Sequence, residues 1–205
     1  MPKIKWVGIL QNTVDYQRGI LPATAIKLDM PATMREMTLK ALPFLMPCIA
    51  MIVFSMLFKT LCAGQPVVVL SYAALGLLLG FFVGIPIHEL LHAIVYPKEA
   101  IVYIGIMPKQ FVAVALSSYP LSRGRFILMS LLPVVLGLIP LILFFILPTA
   151  NKQLNGVMFG LMAMGIVSPY PDYFNVYQVL KQTQKSSLIQ FEKDNLYEIP
   201  VYAFK

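Results

Sequence analysis

Residues Val67 to Ala93 read VVVLSYAALGLLLGFFVGIPIHELLHA. From Val67 to Ile87 no residue is charged, and the run then closes on His88-Glu89-Leu90-Leu91-His92, an instance of H-E-x-x-H. An apolar run of this length predicts a helix that crosses a hydrocarbon core of ~30 Å. On such a helix His88 and His92 leave the same face one turn apart, so two imidazole nitrogens can share one Zn²⁺. Glu89 stands about 100° around from His88, near enough to take a proton from a metal-activated water without being a ligand. The whole chain has two histidines, and both lie in this motif. The bland alternatives are a chance match, or polar side chains that glue helices together in lipid. A glutamate and two histidines on one turn of so apolar a helix contribute nothing to packing, which favours the metal reading.

Upstream of the motif, Gly76, Gly80 and Gly84 recur every four residues. Small residues at this spacing let a neighbouring helix approach closely. The stripe drifts by about 40° per step, so Gly84, His88 and His92 share a face better than Gly76 and His92 do.

The rest of the composition agrees with a membrane setting. The chain has 205 residues, sized for one domain; 59% are hydrophobic and 12% charged, about half the charged fraction usual in a soluble domain. Mean hydropathy is +0.77. The excess of 16 Lys and Arg over 9 Asp and Glu is then flanking charge on the cytoplasmic side, not a nucleic-acid surface. Cys48 and Cys62, about 21 Å apart along one helix, are too distant for a disulfide. The first forty residues are mixed and polar and contain no apolar core of a signal peptide.

Four spans are expected: about Ala41 to Cys62, with Lys59 snorkelling to the headgroups near its end; about Val67 to His92; about Phe126 to Leu147, kinked by Pro133, Gly137 and Pro140; and a fourth from near Leu154 that breaks at Ser168-Pro169-Tyr170-Pro171. Gly156 and Gly160 could pack in that last helix. Between the second and third spans, Ile101–Met107 and Phe111–Leu116 are β-prone, and Pro108-Lys109-Gln110 could join them as a hairpin dipping to the membrane surface. Trp6-Val7-Gly8-Ile9-Leu10 could form a strand or lie at the interface. The expected fold is therefore all-α and polytopic, with about four transmembrane helices and one small β-hairpin. It is a single integral membrane domain, with a cytoplasmic leader (1–40), a membrane core (41–180) and a cytoplasmic tail (181–205). Basic residues set the topology: six in the leader, four in the segment 93–125 and four from Lys181 onward, against none and one in the other two connections. Both termini and the middle segment then face the cytoplasm.

Catalytic zinc usually takes three protein ligands and leaves one position open. No third histidine exists, and both cysteines lie in the first span. Outside the tails the remaining acids are Glu99, which follows Pro97 and would have to fold straight back, and Asp172. Counted from the outer face, His88 lies about 32 Å along the second span and Asp172 about 27 Å along the fourth. Asp172 is the favoured third ligand, against the alternative of an interfacial carboxylate at a helix start. Glu89 would be the general base, with membrane lipid and a protein or peptide substrate, which could itself be membrane-embedded, as partners and no nucleic acid. Tyr170, Tyr173 and Asn175 could donate to an oxyanion, though each is more often a packing or interfacial residue. Strand addition to the 101–116 hairpin is a further way to hold an extended substrate.

HELLHA at the end of a glycine-striped span, a β-prone segment ending in Pro120-Leu121-Ser122-Arg123, a third span with prolines and an aspartate in the last span together resemble a known group. They are similar to the small bacterial membrane proteins described as putative zincin peptidases, distant relatives of the site-2 type of intramembrane metalloprotease. The resemblance covers about residues 80 to 180. It implies a zinc-dependent peptidase of a bacterial cytoplasmic membrane, with His88, His92 and Asp172 as metal ligands and Glu89 as catalytic residue. Around Asp172 the chain reads SPYPDYFN, without the Asp-Gly of the site-2 group. The competing reading is a non-catalytic membrane scaffold or binding protein with a structural or vestigial metal site. An ion transporter fits less well, because its ionisable residues would sit near mid-membrane.

Overall fold

The computed structural model of the protein describes residues 1–108 and 112–201. In chain order the elements are β1 (Lys3–Ile9), β2 (Ile26–Lys27), α1 (Met34–Ala41), α2 (Leu45–Ala63), α3 (Leu70–Leu79), α4 (Ile85–Ile94), β3 (Ile101–Met107), β4 (Val112–Leu116), β5 (Leu121–Ser122), α5 (Arg123–Leu131), α6 (Val135–Ile146), α7 (Lys152–Val167), α8 (Tyr170–Gln182), β6 (Leu188–Glu192) and β7 (Asn195–Ile199). The chain divides into two compact units. One is assembled from Met1–Lys40, Glu89–Leu132 and Asp172 onward, and the other from Ala41–His88 and Pro133–Pro171.

The second unit is helical, and α7 is its centre. Asn155, Met162 and Ile166 are fully buried along it. On one side a Cβ at Gly160 would lie 2.2 Å from the Ala73 carbonyl of α3, and one at Gly76 would lie 2.3 Å from the Val157 carbonyl. On the other side a Cβ at Gly165 would lie 2.4 Å from the Gly137 amide of α6. Glycine is required at these positions because the helices meet backbone to backbone. Helix α2 ends on Gly64 in a left-handed conformation (φ 63°), which only glycine adopts at no steric cost.

Between α3 and α4 the helix widens into a π turn over Gly80–Gly84, with the Ile85 amide bonded to the Gly80 carbonyl. Pro86 explains the widening: it lacks an N–H, and its ring presses on the carbonyl one turn back. Three helices, Arg35–Ala63, Leu70–Ile94 and Arg123–Ile146, are long and apolar enough to cross a membrane. Many of their large apolar side chains point outward, including Phe54, Leu61, Phe82, Ile139 and Ile146.

The first unit is a mixed α/β body. One sheet has the order β1–β3–β4, with β1 parallel to β3 and β4 antiparallel to it. The register shifts between Trp6 and Gly8, where Gly8 has φ 70°. The other sheet, β2–β7–β6–β5, is antiparallel. Its β6–β7 hairpin turns on Lys193 and Asp194, both at positive φ, the geometry that matches the strand twist. Thr13 and the backbone of Gln17 tie the N-terminal segment to this turn through Asp194 and the Lys193 amide. Ala93, Tyr96, Val102, Phe126, Met129, Val179, Ile189 and Leu196 belong to a single buried cluster, so one core holds the end of α4, strand β3 and helices α5 and α8.

The expected all-α fold with four spans and one hairpin is therefore corrected. The protein is mixed α/β, with seven strands in two sheets among the described residues and three candidate spans. The fourth expected span is α7, whose 16 residues reach only about 24 Å, short of a ~30 Å core. The β3–β4 pairing is present, but the joining residues Lys109 and Gln110 lie outside the described residues. Lys59 does not snorkel to headgroups: it is buried. Its Nζ donates to the Phe144 carbonyl, to the Leu147 carbonyl at 2.8 Å and to Asn155 Oδ1 at 2.7 Å.

Candidate active site

His88, Glu89 and His92 are carried by α4 and are all buried. The division between the two units falls inside this helix, between His88 and Glu89. The helix itself therefore sets His88 relative to His92, one turn apart. Asp172 lies in the first turn of α8. Pro171 is tolerated beside it because a first-turn residue needs no N–H partner, and a carboxylate there meets the positive end of the helix dipole.

Within the mixed unit, Asp172 Oδ2 lies 3.5 Å from His92 Nε2. The other ring nitrogen, Nδ1 of His92, lies 2.8 Å from the Met129 carbonyl. A carbonyl can only accept, so Nδ1 carries a proton and donates, and Nε2, on the side of Asp172, is the nitrogen that a metal would bind. His88 lies one helical turn before His92 on α4, so its imidazole leaves the same face of the helix. Two imidazole nitrogens and one carboxylate oxygen form the donor set of a catalytic zinc site with one open position, and a carbonyl behind one histidine is its usual outer support. On donor chemistry and spacing the residues fit zinc.

The structure brings His92 and Asp172 together, with His88 and Glu89 on the same helix as His92. Glu99 is exposed in the turn after α4 and takes no part in the cluster. Tyr170, Tyr173 and Asn175 all ride on α8. Cys48 and Cys62 stay on α2, one buried and one exposed.

Three further groups escaped sequence reasoning. Met129 acts through its carbonyl, for which side-chain identity carries no signal. Arg123 and Arg125 read as charges marking the cytoplasmic side, yet each holds a helix. Arg125 Nε donates to the Val95 carbonyl just past α4 at 2.6 Å, and Arg123 Nη2 donates to the Leu180 carbonyl of α8 at 2.9 Å. Cations at helix C-termini satisfy orphan carbonyls and oppose the dipole. The two arginines thus steady the helices that carry Glu89, His92 and Asp172.

No curated protein and no solved structure matches the chain. The HELLH helix, the arginine caps and the Asp172 helix all fall within residues 81–188. That segment, more than half of the chain, matches the family described as "putative zincin peptidase", and the chain belongs to that family.

Proposed function

We propose that the protein is a membrane-embedded zinc metallopeptidase that hydrolyses peptide bonds, with His88, His92 and Asp172 as metal ligands and Glu89 as general base. The observation that carries this reading is the 3.5 Å approach of Asp172 Oδ2 to His92 Nε2, on the helix that bears His88 one turn earlier. Family membership supports it independently.

A zinc ion held there would supply Lewis acidity and a water whose pKa falls toward about 7. The chain's own residues do the rest. The His92 ring is held by the Met129 carbonyl in the tautomer that offers Nε2. Glu89, buried beside His88, takes a proton from the attacking water and returns it to the leaving nitrogen. Burial of all three motif side chains limits competing solvent and strengthens each electrostatic contact.

We further take the membrane to be a bacterial cytoplasmic membrane with both termini in the cytoplasm. Support comes from strand pairing. The N-terminal strand β1 pairs with β3, and β2 from the same segment pairs with β7 near the other end. Segments that share a sheet lie on one side of a bilayer. The three basic segments then share one side, which agrees with their excess of Lys and Arg. Lipid and a protein or peptide substrate are the partners this reading requires.

The test is metal content by mass spectrometry on the purified full chain, combined with cleavage of a quenched apolar peptide in detergent. Wild type should hold about one zinc per chain, and His92→Ala and Asp172→Ala should each lose it. Glu89→Gln should keep the metal and lose roughly 10²–10⁴ in turnover. A wild-type chain that takes up no zinc from zinc-containing buffer would refute the proposal. Zinc retained in Asp172→Ala would remove that residue from the ligand set.

A further inference from the structure

Within the helical unit an apolar cavity of about 370 Å³ is lined by residues of α3, the π turn, α4, α6 and α7. Its buried floor includes Gly80, Pro140 and Gly165. Val83 and Ile139, 52% and 56% exposed, are its most open lining residues and lie on helices long enough to cross a membrane.

Gly84 singles this cavity out. In the stripe Gly76, Gly80, Gly84, the first two are packing residues: a Cβ at Gly76 would strike the Val157 carbonyl at 2.3 Å, and one at Gly80 would strike Met164 at 2.7 Å. A Cβ at Gly84 would meet nothing within 4 Å. Close helix approach therefore does not require glycine there. What the missing side chain leaves is space in the cavity wall, four residues before His88 on the same continuous helix. Ser168, also in the wall, precedes Asp172 by the same four residues.

We propose that this cavity receives a large apolar side chain of the peptide substrate, beside the scissile bond, and that Gly84 is the residue that admits it. The inference rests on the peptidase reading above and adds a specificity determinant to it. Position argues for the occupant, because the cavity adjoins the turn of the helix that bears His88. Size argues for it as well. A cavity of about 150 Å³ already holds a benzene-sized group, so this one accommodates one or two large side chains. A whole helix, roughly 10 Å across, does not enter. The preferred substrate is then an apolar segment that is locally unwound at the cut.

The test uses the full chain with Glu89→Gln, in lipid nanodiscs, so that a bound peptide persists. The probe is an alanine-based peptide carrying one photo-reactive leucine, and adducts are located by mass spectrometry. Adducts are expected on Val83, Ile87, Ile139 or Met164. Labelling should fall roughly ten-fold or more when Gly84→Leu fills the cavity, and likewise with Ile139→Trp, which narrows the mouth from α6. The absence of adducts, adducts elsewhere, or labelling that neither filling changes would overturn the inference. So would labelling of these residues by a photo-reactive phospholipid that the peptide fails to displace, since the occupant would then be an acyl chain. A chain that takes no zinc yet shows labelling sensitive to both fillings separates the two ideas, with the peptidase reading lost and the apolar peptide site standing.

Discussion

Replacing Lys59 by Met tests how the helical unit is held together. The Lys59 ammonium has three N–H groups, and the structure gives each an acceptor: the carbonyls of Phe144 and Leu147 and Oδ1 of Asn155. The two carbonyls belong to the last turn of α6 and the residue after it, where the helix has no donors of its own. Lys59 of α2 therefore caps α6. Its Nζ also sits 4.6 Å from the centre of the Phe144 ring. Met keeps the length and apolar stem but removes three donors. Each buried acceptor left without a donor costs about 1–3 kcal/mol. Relief from burying an ammonium offsets part of that sum, so the low end, about 3 kcal/mol in total, is the expected loss. In a chain of this size it corresponds to a fall in Tm of roughly 6–12 °C.

Asn155 is fully buried and also donates to the Pro148 carbonyl at 2.9 Å. Asn155→Ala should therefore destabilise too, and because the two residues share a bond, the double variant should lose at least about 1 kcal/mol less than the sum. Thermal unfolding in a single detergent, followed by circular dichroism, gives all four corners of the cycle. A Lys59→Met chain with unchanged Tm, or strictly additive losses, would refute the capping argument.

The glycine stripe yields a contrast in sign from one substitution. Gly160→Ala puts a methyl 2.2 Å from the Ala73 carbonyl and should cost about 1–3 kcal/mol, whereas Gly84→Ala meets open space and should gain about 0.5–1 kcal/mol in stability. Arg125→Met removes the cap on the Val95 carbonyl and should lower stability by about 1 kcal/mol, seen as a lower Tm together with weaker zinc binding on titration. Tyr96 is buried just past α4, and that burial holds its hydroxyl above the usual 10.0. The folded chain resists the ionisation that the unfolded chain allows, so stability should be intact below about pH 10 and fall as pH rises further. Tyr96→Phe should flatten that alkaline limb in unfolding measured against pH.

The long apolar helices and the spacing of the motif's side chains were legible in the residues. Charge-free runs longer than a bilayer core is thick have few other uses, and two histidines four apart face one way on any helix. The strands were harder to see. β2 and β5 are two residues each, too short for an alternation to register, and β1 carries Lys3 and Lys5 beside its apolar positions. β1 and β2 pair with residues about a hundred or more positions away, as in Lys3 with Ile101 and Ile26 with Glu198, and local pattern does not encode such partners. The same limit hid the role of Lys59. Near the end of an apolar run, a lysine that snorkels and a lysine that caps a neighbouring helix look alike.

The sequence by itself determined that helices here would be apolar and bilayer-long, that HELLH would present two imidazoles and a carboxylate on one turn, and that Asp172 was the best remaining candidate for a third ligand. Those are consequences of composition and of the helical period, which act over a few residues. Only the tertiary structure decided that Asp172 meets His92, that a carbonyl of α5 holds Nδ1 of His92, and that a side chain at Gly84 would meet open cavity space while one at Gly76 or Gly80 would strike a helix. Each of these depends on which surfaces come together, and the free energy that selects them is summed over a whole core.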